Sequence, residues 1–377
     1  MRWVRSLISV LLILVMLGSV ISPAMAKSAM AAVVPDTKIN TIIYKSERLS
    51  IVEIKGKIVY NKALNAFKES AKLIKYLGDY EPEYYKAKVY IIEYNGTPTE
   101  VIRIPLKGDK PAVFTYTKDQ YKTVMLVKVI DTSSQEIKYY VYDNGKIKTK
   151  VYTVLDHNGD IFPLWVSTPG SGGGTHEKIS YQSAKALGLP EEYRIILRDH
   201  SGDPDKYDQG WNRIWKHGYC PVGPWGFGGA PDACNENVTD ALNSFRKGRY
   251  TEGYIHLAHA LHYLQDVGNP YHTTFDPLYY PNHVYYEDLV YDHWSDWNLD
   301  DTVYYAQTKN INDPKSAVIS LARYSYNWLA TLDWAIDLYK VTGDVKYLDT
   351  VKNLTTMLIN ETAAYTKGLI EYTLSNI

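Results

Sequence analysis

The sequence predicts an α+β N-terminal region, one helix with an antiparallel sheet, followed by an all-α helical bundle. Three observations predict it. Short runs rich in Val, Ile and Tyr, often alternating, are confined to residues 85–154. Helical periodicity replaces them after residue 165. Composition divides at the same place: nine of the ten His lie between 176 and 293. Residues 1–164 hold 24 Lys+Arg against 16 Asp+Glu, and residues 165–377 hold 17 against 26. A basic half can dock on an acidic one, and an acidic half rich in His suits metal binding.

In chain order, Arg2 and Arg5 precede an apolar run from Leu7 to Val20 and then Ser22-Pro23-Ala24-Met25-Ala26. That is a secretory signal peptide over residues 1–26, with Ala29-Met30-Ala31 offering a second cut. An uncleaved anchor is the alternative, although the run falls short of the roughly 20 residues of a membrane span. The protein is therefore expected to be secreted. Four N-x-[ST] sequons, at Asn95, Asn237, Asn353 and Asn360, are compatible with export. Residues 62–76 carry Leu64, Phe67, Ala71 and Ile74 at helical spacing. Strands follow over 85–94, 100–105, 112–116, 123–129, 137–142 and 146–154, separated by turn signals such as Asn95-Gly96. Helices are predicted over 175–187, 236–247, 250–267, 283–294, 314–341 and 345–375, enough chain for one large core. The two cysteines, Cys220 and Cys234, flank a Gly/Pro-rich loop, and in an exported chain they are expected to form a disulfide.

The chemistry concentrates in HYLQDVGNPYH, residues 262–272, followed by HVYYE, residues 283–287. His262 and Asp266 share a helix face at four-residue spacing, as do His283 and Glu287. His272 comes on a turn after the helix-stopping Gly268-Asn269-Pro270. Such a concentration of imidazoles and carboxylates is what a zinc cage needs. Further candidates lie upstream: His176 at the start of a helix capped by Thr175, Asp205 after Pro204, and His217 twelve residues on.

With these residues in order, residues 165–377 resemble the zinc-dependent phospholipases C, the family of the bacillary phospholipase C and the clostridial alpha-toxin catalytic domain, related to the single-strand nucleases. The shared pattern is Pro-Asp with His twelve later, His-Tyr-x-x-x-Asp, a His ten after the first, and His-x-x-x-Glu. The resemblance implies three Zn2+ per mature chain. One would be held by Asp205, His217, His262 and Asp266, and a second by His272, His283 and Glu287. The third would take His176, Asp266 and the free amine and carbonyl of an N-terminal Trp, here Trp165. Asp205 would also be the general base. Because Trp165 is internal, residues 27–164 would be a propeptide domain removed by a processing protease before Trp165. An amide nitrogen, its lone pair delocalised into the carbonyl, is a poor ligand, whereas a liberated amine is a good one. The implied reaction is hydrolysis of a phospholipid at a transiently contacted membrane surface, giving a diacylglycerol-like lipid and a phosphorylated headgroup.

Two other functions compete. The related single-strand nucleases use the same kind of cage, but Glu287 and the eleven residues from Trp165 to His176 favour the lipase side, with no stable nucleic-acid partner. A non-catalytic secreted binding protein tied together by zinc is the other, although structural sites are usually closed and often use Cys. The family's choline pocket is replaced: Thr168, Lys206 and Ile214 stand where an acid and aromatics are expected. The family's C-terminal membrane-binding β-sandwich is missing too, which leaves exposed aromatics such as Trp225 and Phe227 to reach a surface. His256 and His259, near His262, read as packed helix residues, and His200 and His293 as peripheral groups.

Overall fold

The structure is a computed structural model that describes residues 39–131, 133–134, 136–143, 145–153, 173–208, 210–223 and 226–377. The expected signal peptide, the cut before Trp165, Thr168 and Trp225 lie outside these residues.

Two strands missed in the sequence open the described chain, β1 (Ile39–Lys45) and β2 (Leu49–Lys55). Helix α1 (Lys57–Ala71) follows, starting five residues earlier than periodicity suggested. Then come β3 (Glu81–Pro82), β4 (Lys88–Tyr94), β5 (Thr97–Lys107), β6 (Ala112–Lys118), β7 (Thr123–Asp131), β8 (Glu136–Asp143) and β9 (Lys146–Thr153). They form one antiparallel sheet in the order β1-β2-β4-β5-β6-β7-β8-β9, with β3 paired to β5. Asn95 and Gly96 both take positive φ, 48° and 77°, in the two-residue loop joining β4 to β5. That matches a type I′ hairpin, whose twist suits the strands.

The period of two divides the sheet's side chains between two cores. Ile54, Val89, Ile102, Ile104, Phe114 and Val127 face α1. Leu49, Ile51, Tyr90, Ile92 and Val101 belong instead to a core shared with the helices. Strands β6 and β7 are buried almost throughout because both faces are covered, which is why their sequences alternate so weakly.

The helical region comprises α2 (Thr175–Ala186), α3 (Glu191–His200), α4 (Pro204–Tyr207), α5 (Trp211–Lys216), α6 (Ala230–Arg246), α7 (Tyr250–Asp266), α8 (Tyr280–Asp292), α9 (Leu299–Tyr305), α10 (Pro314–Thr342) and α11 (Val345–Ser375). The long helices follow their periodicity closely, while α3, α4, α5 and α9 were not legible in it. Helix α10 has clear ends. Asp313 accepts from the Ser316 N–H at 2.8 Å, and Gly343 leaves the helix at φ 70°.

The sheet docks on α10 and α11. Tyr90 lies against Trp334, ring centroids 5.9 Å apart, and Tyr94 donates to Asp349 at 2.6 Å. Lys150 donates to the carbonyls of Lys340 and Val341, where α10 ends and a cation is favoured. The basic sheet therefore does meet the acidic helices, through Arg103, Lys128 and Lys150 among others.

The expected disulfide is corrected. Cys220 and Cys234 are both free and buried. The loop is closed by backbone pairing instead, Cys220 N–H donating to the Phe227 carbonyl at 2.8 Å and Phe227 N–H returning the bond at 3.1 Å. The thiols also sit in different surroundings, Cys220 near Phe275 and Asp276, and Cys234 inside α6 with Asp313 as its nearest charged influence. Burial pushes the Cys220 thiol up to about 11 and raises Cys234 further, so neither forms the reactive thiolate readily. Protein unfolded without reductant should titrate two thiols per chain with a colorimetric thiol reagent, and the folded protein close to none. A folded-state mass two hydrogens lighter would contradict this.

Candidate metal centre

Six parts of the helical region converge on one buried polar cluster. Helix α7 passes through an apolar core with Leu257, Leu261 and Leu264, yet it also carries His262 and Asp266, both fully buried. Gly268 ends it against α11. A Cβ there would lie 2.1 Å from Thr362 Oγ1, so only glycine allows this approach. The Asn269 side chain accepts from the Tyr271 N–H at 3.1 Å and starts the single turn Pro270–Thr273 that presents His272. Helix α2 contributes His176 in its first turn, and α8 contributes His283 and Glu287 one turn apart. Asp205 sits in α4 behind Pro204, and His217 follows the end of α5.

The structure thus brings together all eight of the His, Asp and Glu residues expected from sequence. They form three groups whose ligand atoms lie within 4.8 Å of one another: His176, His262 and Asp266; Asp205, His217 and His262; and His272, His283 and Glu287. Trp165, the ninth, lies outside the described residues. Asp266 is the hub. Its Oδ1 is 3.3 Å from His176 Nε2, and its Oδ2 is 2.9 Å from His217 Nδ1 and 3.2 Å from His262 Nε2. Asp205 Oδ1 is 3.2 Å from His262 Nε2 and 3.5 Å from His217 Nδ1. His283 Nε2 and His272 Nε2 are 2.8 and 3.4 Å from Glu287 Oε1.

Most of these contacts lack hydrogen-bond geometry. Both carboxylate oxygens of Asp205 and of Asp266, Oε2 of Glu287 and Nε2 of His283 are buried without a hydrogen-bond partner. Buried polar atoms are normally satisfied, so a converging set of orphans fits a cation. The far sides of the imidazoles are held. His262 Nδ1 lies 2.7 Å from the Ser201 carbonyl, His272 Nδ1 2.9 Å from that of His217, and His176 Nδ1 2.9 Å from Gln265 Oε1. A donor Nδ1–H at each leaves Nε2 aimed inward, a lone-pair nitrogen wherever the imidazole is neutral. Gln265 and Asn269, whose Nδ2 donates to Glu287 Oε1 at 2.9 Å, were missed in the sequence. Their signal was there: two amides flanking Asp266 in an otherwise apolar stretch. Asp208 and Glu177 were missed as well. Asp208 Oδ2 lies 3.3 Å from His217 Nε2 and accepts from Tyr263 at 2.7 Å. Glu177, next to His176, is fully buried with both oxygens unpartnered, and burial raises its pKa.

Charge in the cluster is divided. Burial alone would raise the carboxyls of Asp266 and Asp205, but the facing charge of His262 outweighs it and keeps both ionised. Burial alone would likewise lower His262, but Asp266 and Asp205 lift it well above the ordinary histidine value. The other arm is different. Burial pushes His283 down to about 3 and Glu287 up to about 7, a neutral imidazole beside a carboxyl that holds a proton near neutrality.

Beside the cluster opens a cleft of about 400 Å³, floored by His217, His272 and His283. Arg213 and Ile214 line it together with Phe275 and Tyr280. Lys206 pairs with Asp203 at 2.7 Å. His200, also paired with Asp203, and His293, stacked on Trp297 with centroids 5.0 Å apart, lie apart from the three groups. His256 lies 4.0 Å from Glu252.

No family model matches the chain, and no curated protein matches it. Among solved structures it is similar to an alpha-toxin of Clostridium perfringens from an avian strain, at 16% identity and a TM-score of 0.42, covering 55% of this chain and 66% of that one. The alpha toxin of Clostridium absonum matches at 18% identity and a TM-score of 0.40, over 54% of this chain and 65% of that one. The match thus spans just under two thirds of each toxin chain. At this distance what the protein does must be argued from its own side chains.

His259 yields a pH prediction. Burial pushes its imidazole down to about 4, although Asp203 Oδ2 lies 3.8 Å from Nε2. In the unfolded chain it titrates at its ordinary value near 6.5. Between those values the unfolded state binds a proton that the folded state refuses, so stability falls as pH drops from about 6.5 towards 4. His259→Gln should lose less Tm between pH 7 and pH 5 than the unsubstituted protein. An equal loss in both would show that His259 does not titrate this way.

Proposed function

We propose that the cluster binds zinc and that the protein is a secreted phosphodiester hydrolase of the phospholipase C type, made as a precursor cut before Trp165. One observation carries the reading: eight imidazoles and carboxylates converge in three groups, two of them sharing His262, with both oxygens of Asp205 and Asp266 buried and unpartnered. A structural zinc needs one closed set of four ligands, whereas neighbouring groups, two of which share His262, beside an open cleft suit chemistry on a bound substrate.

In this reading Asp205, His217, His262 and Asp266 would hold one ion, and His272, His283 and Glu287 a second. His176 and Asp266 would hold a third together with the amine and carbonyl of Trp165. Asp266 suits the shared role because its two oxygens already face different imidazoles. Bound cations would neutralise phosphate charge, acidify an attacking water and stabilise a leaving alkoxide. The chain supplies the rest. Asp205, which the adjoining cation would keep ionised, takes the proton of the attacking water. Arg213 on the cleft wall offers a bidentate donor set to phosphate oxygens. Phe275 and Tyr280 shelter the ester from bulk water. Phe227, 47% exposed and stacked on Phe275, sits where a lipid surface would meet the cleft. Among the described residues no helix is long and apolar enough to cross a membrane.

The test is a side-by-side assay on phospholipid vesicles and single-stranded DNA, with N-terminal sequencing of the secreted product. Diacylglycerol release that stops with chelator and returns with Zn2+ is the expected result. DNA hydrolysis instead would assign the protein to the nucleases, and full turnover after complete metal removal would end the proposal. Asp205→Asn should cut turnover by roughly 10²–10⁴-fold. Asn269→Ala, which releases Glu287 without touching a ligand, should weaken Zn2+ affinity by about 10–100-fold in equilibrium dialysis.

A further inference from the structure

A second buried polar cluster lies where the sheet meets α10. Asp333 and Asp337, one turn apart on that helix, are buried, and the groups that neutralise them come from the sheet. Lys128 of β7, with no exposure at all, places Nζ 3.2 Å from Asp333 Oδ1 and 3.1 Å from Asp337 Oδ1. Arg103 of β5 reaches Asp333 Oδ2 at 2.6 Å and the Ala330 carbonyl at 2.8 Å. Tyr139 of β8 donates to Asp337 at 2.7 Å. From the helical region, Asn282 donates 2.8 Å bonds to both carboxylates, and its own Oδ1 accepts from Lys340. Asn282 directly precedes His283.

We propose that the N-terminal sheet is a permanent partner of the helical region: once the joining chain is cut, residues 39–153 stay bound to residues 173–377. This goes beyond the proposed function and rests on it only for the cut before Trp165. Three observations argue for retention. First, Lys128 and Arg103 balance the two carboxylates charge for charge, and departure of the sheet would leave two like charges one turn apart. Second, Leu49, Ile51, Tyr90, Ile92 and Val101 share one core with Trp334, Val351 and Leu354, so separation would expose apolar surface on both pieces. Third, among the described residues the cleft is lined by residues between Arg213 and His283, none of them from the sheet. Cutting would liberate an amine for the metal centre without opening the fold. The sheet also steadies that centre, because Arg103 and Lys128 hold the aspartates that hold Asn282, beside His283 and one turn before Glu287.

The experiment places a protease recognition sequence in the full chain between residues 153 and 173 and cuts it after folding. The expected result is one species in native size exclusion containing both fragments, which part only in denaturant. Lys128→Met with Arg103→Met should release the N-terminal fragment at least tenfold more readily after cutting. The neutral set Lys128→Met, Arg103→Met, Asp333→Asn and Asp337→Asn should restore co-elution, which a merely misfolded double variant would not allow. An unsubstituted N-terminal fragment that elutes alone, leaving a helical region with unchanged Tm, would overturn the inference. Co-elution by a protein that binds no zinc would sink the proposed function and leave retention standing.

Discussion

A carboxylate taken wholly out of water must be compensated, and Asp266 is where this molecule meets that requirement. It is fully buried at the end of a helix that is otherwise packed in an apolar core. Three imidazoles lie within 3.3 Å of its two oxygens, yet neither oxygen is in hydrogen-bond geometry. The imidazoles keep it ionised, and their own outer nitrogens are tied to Ser201, Gln265 and, for His217, the vicinity of Asp208. Moving any contributing element would leave a buried charge exposed to an apolar neighbour. The arrangement of α2, α4, α5 and α7 follows from that constraint.

The same requirement is met differently at α10. There the buried aspartates are satisfied by Lys128 and Arg103, cations built into the chain. The cluster at α10 joins sheet to helices, and the cluster around Asp266 faces a cleft. Asn282 connects them, because it bonds the aspartates of the first and lies beside His283 of the second.

The division between a strand-rich and a helical half was legible because periods of two and of 3.6 are local properties. So were α7, α10 and α11, whose apolar positions recur over many turns. Strands β1 and β2 were not. Ile39–Lys45 and Leu49–Lys55 form β structure by pairing with each other and with β4, a partner more than 30 residues away. The shorter helices α3, α4, α5 and α9 have too few turns for a period to emerge. The cysteines looked like a bridge from their spacing around a loop, but spacing along a chain does not bring two Sγ atoms face to face.

By itself the sequence determined the identity and order of the ligand-type residues, since i,i+4 spacing puts His262 with Asp266 and His283 with Glu287 whatever surrounds them. It could not determine that His176, Asp205 and His217, up to 90 residues distant, close on the same point, nor that Gln265 holds His176 and Asn269 holds Glu287 there. Those facts depend on which helix faces meet, and helix packing is decided by the whole core at once. The partnership of Lys128 and Arg103 with Asp333 and Asp337 is of the same kind. More than 200 residues separate them, and only burial of both surfaces together makes their pairing obligatory.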